Sequence, residues 1–151
     1  MDQGKRRKAL SMILEKLKSI GYFKSVKGGF PKEIPNAIAL PAAFMMRAVE
    51  MITYSTNQER SSSFPFAVVL YLHSADDIEL VKCDAEDKAE QAMIELFVSS
   101  EWRDLGLSIT LERVDAGAYA LAPLGFEGGI NAPFGAIRMD FTAVFDYNAQ
   151  E

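Results

Sequence analysis

The residues able to do chemistry are few and poorly spaced for it. His73 and Cys83 are the sole histidine and cysteine of the 151-residue chain. The tetrapeptide "HSAD" sets Ser74 and Asp76 beside His73, the three residue types of a hydrolase triad. A triad is a spatial arrangement, and chain neighbours at a strand end seldom meet in that geometry. His73 therefore reads as a plain strand-end histidine. Cys83 could pair with it as a nucleophile, but a lone thiol ahead of a helix reads more simply as a small side chain.

Metal and phosphate sites fare no better. One His and one Cys cannot supply the four N or S ligands of a zinc site. The run "DAEDKAE" offers Asp84, Glu86, Asp87 and Glu90. It lacks the glycine and the closing glutamate of a calcium loop. It reads as a solvated helix start whose acids suit the positive end of the dipole. "KGGF" and "GFEGG" lack the strand–glycines–helix context of a phosphate loop and read as turns. The expectation is a chain with no catalytic residue, metal site or cofactor.

"KRRK", residues 5 to 8, is the one basic cluster, and it falls where a helix would begin. Positive charge there opposes the dipole. It is either a solvated terminus or a group with an acidic partner, such as a surface on another subunit.

The elements that would carry these residues fit one domain over 1–151. An apolar fraction of 49% with 25% charged residues is ordinary for a folded protein. The formal charge of −5 argues against a general nucleic-acid binder. A single cysteine points to a reducing, cytoplasmic origin. Glu15, Lys16 and Lys18 interrupt the apolar part of the N-terminal stretch, so no secretion signal is read there. "FPFAVVLYL" is too short to span a bilayer as a helix. No membrane association is expected.

Ala9, Ile13, Leu17 and Ile20 share one face, which predicts a helix over 5–20 stopped by Gly21. "GYFKSVKGGFPKEIP" predicts a short extended piece and a loop. Residues 37–40 read as a strand running up to Pro41, because the residue before a proline is held extended. Pro41 would then end or bulge that strand near a sheet edge. "AFMMRAVEMITYS" has no decisive period. The polar "STNQERSSS", 55–63, reads as an exposed loop. Residues 64–73 predict a strand covered on both faces. Asp76 and Asp77 then offer a cap to an amphipathic helix carrying Ala85, Ala89, Ala92, Met93, Leu96 and Phe97 on its inner face. Leu107, Ile109 and Leu111 alternate inward in another strand. A last strand alternates Ile137, Met139, Phe141, Ala143, Phe145 and Tyr147. The sum is an α+β fold: a mostly antiparallel sheet with two main helices on one face, a two-layer sandwich.

The loop 123–135 places Phe126, Ile130 and Phe134 in a glycine-rich connection. Large apolar groups there either fold back on the core or meet a partner.

The order of segments resembles a known family. It runs from an N-terminal helix through "SIGYFKSV", "PNAIALPAAFM", a polar loop and "FPFAVVLYL". The helix "AEDKAEQAMIELFVSSEWRDLG" follows, then "LSITLERVDAG" and a long alternating strand closing in "FDY". This is similar to the tail terminator, or tail-completion, proteins of long-tailed phages, the minor tail protein U-like group. The resemblance covers nearly the whole chain. It rests on element order and on the "P-x-A-x-A-L-P-A-A" pattern of the second segment.

The resemblance implies a structural virion protein of the tail or neck. Its subunits would close into a hexameric ring on the last ring of tail-tube protein, halt tube growth and present a docking surface to the head–tail connector. DNA would pass through the lumen without specific binding, which an acidic chain is compatible with. Candidate subunit or partner contacts are Phe126, Ile130 and Phe134, with Gln58 and Arg60 of the polar loop. Two other readings stand beside it: another neck or head-completion component, or a cytoplasmic small-molecule-binding α+β domain.

Overall fold

The computed structural model describes residues 4–29, 39–54, 59–73, 76–116 and 134–148. Helix α1 (Lys5–Ser19) buries Ala9, Ile13 and Leu17, the predicted stripe. Gly21 ends it at φ 72°, in the left-handed region that glycine occupies without steric cost. Strand β1 (Ser25–Gly28) follows, then β2 (Ala42–Arg47), β3 (Met51–Tyr54) and β4 (Glu59–His73). Helix α2 (Ile78–Phe97), short α3 (Ser100–Leu105), β5 (Gly106–Asp115) and β6 (Phe134–Asn148) complete the order.

The described strands form one six-stranded sheet in the order β1-β2-β4-β6-β5, with β3 also paired to β4. Only β1 and β2 run parallel; the other pairings are antiparallel. The expected α+β architecture is the one observed, with a third, short helix added.

The register sorts the side chains by face. Phe64, Phe66, Val68, Leu70 and Leu72 of β4 share a face with Ile137, Met139, Phe141, Ala143 and Phe145 of β6. All are buried, in one core with the inner faces of α1 and α2 and with Trp102 and Leu105 of α3. Phe66 stacks on Phe141, with ring centroids 5.3 Å apart and planes 11° from parallel. Phe145 sits between Phe64 and Trp102, at 5.1 and 5.7 Å. Such aromatic pairs each add about 0.5–1.5 kcal/mol beyond their area. The opposite face carries a second buried set, Phe44, Ala67, Val69, Tyr71 and Ala136. Burial pushes the Tyr71 phenol well above its ordinary pKa. Residues 66–72 are thus covered on both faces, as their unbroken apolar run predicted, while His73, in the expected range, is exposed.

Several boundaries differ from the sequence reading. The strand expected before Pro41 lies after it: Leu40 is outside β2, which begins at Ala42. Residues 37 and 38 are outside the described set. Pro41 is suited to the position just ahead of a strand, since it has no N–H to give the ladder. Its carbonyl accepts from Lys24 N–H at 2.7 Å, which continues the β1–β2 pairing by one step. Residues 59–63, expected in a loop, are the first five of β4, where Ser62 is fully buried. Their polarity hid a strand whose ladder partners, not its side chains, hold it. Phe97 is exposed rather than on the inner face of α2. Asp77 occupies the N-cap position of α2, but its side chain makes no capping hydrogen bond.

Pro65 explains how β4 is partnered. In an antiparallel pair the N–H and C=O of one residue point to the same edge. The Pro65 carbonyl accepts from Ala48 N–H at 2.9 Å, so its missing donor falls on the β2–β3 side. There β2 has just ended, at Arg47 opposite Phe66, and β3 has yet to begin, at Met51 opposite Ser63. The β6 side runs through uninterrupted.

Phe66→Ala should lower the unfolding free energy by about 3–5 kcal/mol, the range for deleting a fully buried aromatic ring. Urea titration followed by circular dichroism reads this directly.

Candidate functional site

Among the described residues no group of three or more His, Cys, Asp or Glu side chains could hold a metal ion. His73 is exposed at the end of β4, and Cys83 is exposed on α2. Asp76 is exposed as well, and Ser74 lies outside the described residues. No described helix is long and apolar enough to cross a membrane. What the described surface does offer is exposed apolar side chains grouped in two places, besides the single Leu80 and Val114.

The first is β3 and the turn before it. Val49, Met51, Ile52 and Tyr54 are 77%, 64%, 42% and 67% exposed. Ile52 and Tyr54 lie opposite Ser62 and Arg60 on the helix-side face, Met51 and Thr53 on the other, and neither face of β3 is covered. Its edge away from β4 pairs with no other described strand. Large apolar groups clustered at such an edge exceed the single exposed residues of an ordinary surface.

A polar knot sets this corner. Arg6 of α1 donates from Nε and Nη2 to the two carboxylate oxygens of Glu50, at 2.8 and 2.7 Å. Arg47 approaches the same carboxylate at 3.6 Å and lies over the Phe64 ring, 4.9 Å from its centroid. Glu50 is largely buried, its side chain 10% exposed. The Arg6 hydrogen bonds hold its carboxyl below the usual range against the opposing pull of burial. The basic cluster at 5–8 therefore has a partner within its own chain, at its Arg6 member.

The second place is a groove between α2 and the sheet, lined by Glu90, Met93, Ile94, Phe97, Ile109, Leu111 and Phe141. Helix α2 stops short of covering β5, so Ile109 and Leu111 face the helix layer yet stay only partly buried. Ile94 and Phe97 stand exposed along its rim at 58% and 42%, and Val98, at the C-cap of α2, is exposed as well. Acids flank it. Burial, with the like charge of Asp87, raises the carboxyl pKa of Glu86 one turn before Glu90. At the far end of this helix face Lys82 is buried and donates to the Ala116 carbonyl at 2.8 Å, pinning α2 to the end of β5. Gly135 leaves room there: a Cβ would stand 3.2 Å from Ile78 Cδ1.

The residues singled out from the sequence fall differently. Arg60 is in β4 rather than a loop, half-buried between Tyr54 of β3 and Tyr147 of β6 in the register. Phe134 is not in a loop either: it opens β6, paired with His73. Gln58, Phe126 and Ile130 lie outside the described residues. Sequence reasoning missed Val49, Met51, Ile52 and Tyr54. Their signal was apolar residues with neither period two nor period 3.6, which is what a short strand bare on both faces produces.

No family model matches the chain, and no curated protein matches it. Among solved structures, a chain from the "Virion of native gene transfer agent (GTA) particle" is similar at a TM-score of 0.44 and 12% identity, over 89% of this chain and 91% of that one.

Glu50→Gln should cost about 1–2 kcal/mol, the lower part of the range for charged hydrogen bonds because the Arg6 end is partly solvent-screened. The native Glu50 pKa is depressed, so the pair's contribution is complete above the ordinary glutamate range and is lost as pH falls through the lowered native value. Denaturant titrations from neutral to acid pH should show a shallower decline for the variant.

Proposed function

We propose that this chain is a structural virion protein whose copies close into a ring on the end of a phage tail tube, stop its elongation and present the docking surface for the head–tail connector. The segment order supports this reading through its likeness to tail terminators. The observation that carries it is β3. A four-residue strand bare on both faces buries almost nothing of its own, yet it places Met51, Ile52 and Tyr54 at a sheet edge. Exposed apolar area of that kind finds its stabilisation in a neighbouring subunit.

Rings are built from head-to-tail contacts between two different patches of one subunit, and they close when the rotation per subunit is a whole fraction of a turn. The two apolar places on this surface are different patches, as that geometry requires. In this reading the ring is a hexamer, works without catalysis or cofactor, and lets DNA pass through its lumen without specific contacts.

Native mass spectrometry should find hexamers, either free or after addition of tail-tube protein. Particles lacking the chain should carry overlong tails. Normal-length tails with unjoined heads would instead assign it to the connector. A chain that stays monomeric and ignores tube ends would overturn the proposal.

A further inference from the structure

Charge is unevenly placed across this sheet. Helix α1 carries six basic residues and one acid, Glu15, and it packs on β1 at one side. Helix α2 carries six acids and two lysines and packs on β5 and β6 at the other. The Arg6–Glu50 hydrogen bonds hold the start of α1 beside the β2–β3 turn. The first turn of α1, with exposed Arg7 and Lys8, and exposed Arg47 of β2 therefore flank the turn that leads into β3. Glu90 lines the groove, and exposed Glu95 lies on the same stretch of α2 as Ile94 and Phe97. One apolar patch has basic residues flanking the turn into it, the other an acidic rim, and β3 and β5 lie on opposite sides of the β4–β6 pair.

We infer that the occupant of the α2–β5 groove is a second copy of this chain, which inserts its β3 edge with Met51 and Ile52 against Ile94, Phe97 and Leu111. This rests on the ring reading and specifies its contact. A symmetric contact would do worse on either patch. Pairing β3 with β3 sets Arg7, Lys8 and Arg47 against their own copies, and pairing groove with groove does the same for Glu90 and Glu95. Like charges brought together across an interface cost several kcal/mol. The crossed contact brings bases to acids and apolar to apolar, and it leaves one patch of each kind open for the next subunit.

The test uses two double variants of the full chain, Met51→Asp/Ile52→Asp and Ile94→Asp/Phe97→Asp. All four residues are exposed, so the fold should hold, which circular dichroism checks. Each variant alone should self-associate about 30-fold more weakly or worse, the effect of removing a hot-spot contact. Mixed together they should form a 1:1 heterodimer and nothing larger, because each retains one intact patch. Native mass spectrometry reads the stoichiometry. As a second measurement, Met51→Cys/Ile94→Cys on a Cys83→Ser background should form disulfides between copies under mild oxidation. If the wild type forms rings while the variants assemble normally, or the mixture stays monomeric and no disulfide forms, the inference falls and the ring reading stands. A wild type that is monomeric even with tail-tube protein overturns both.

Discussion

The β4–β6 ladder is the constraint on which the molecule depends. Fifteen residue pairs join these two strands without a break, from Glu59 opposite Asn148 to His73 opposite Phe134. Because the side-chain period is two, that register puts Phe64, Phe66, Phe141 and Phe145 on one face together, and a slip of one residue would turn them all outward. The aromatic set is thus both the reason for the register and its product. The helices cover this face, and the shorter strands are hung on the outer edges of the pair.

The Arg6–Glu50 contact has a different role. It joins residues 44 positions apart, tying the first turn of α1 to the turn between β2 and β3. A basic first turn works against the helix dipole. Seating one of its cations on a nearly buried carboxylate offsets that penalty and holds the first turn of α1 beside the β2–β3 turn. Local electrostatics that look unfavourable in the helix alone make sense at the level of the whole face.

What could be read from the sequence followed burial. Helices α1 and α2 and strands β4 and β6 each bury a regular stripe, so Ala9, Ile13, Leu17 and the alternation from Ile137 to Phe145 announced them. Strand β5 was half legible: its inward residues open on a groove, and register shifts between Gly106 and Ser108 and between Leu111 and Arg113 disturb its alternation. The first five residues of β4 were hidden because they are polar and held by ladder bonds on both sides. Strand β3 was hidden for the opposite reason. Its side chains are apolar but serve no interior, so no period marks them. The exposed apolar edge was therefore the least legible part, since side chains that face no interior leave no periodic trace in the sequence.

Pro65 has a consequence for how motion is distributed. By withholding one donor at the junction, it divides the outer edge of β4 into two ladders that do not share a hydrogen bond. The short outer one, Met51–Tyr54, is joined to the rest mainly through Ser63, Ser62, Ser61 and Arg60. Small serines opposite it offer little cross-strand packing. This segment can therefore part from its neighbour as a separate cooperative unit, while β2, locked between β1 and β4, stays in place. A rim element able to adjust by itself lets the sheet edge change shape without disturbing the aromatic interior.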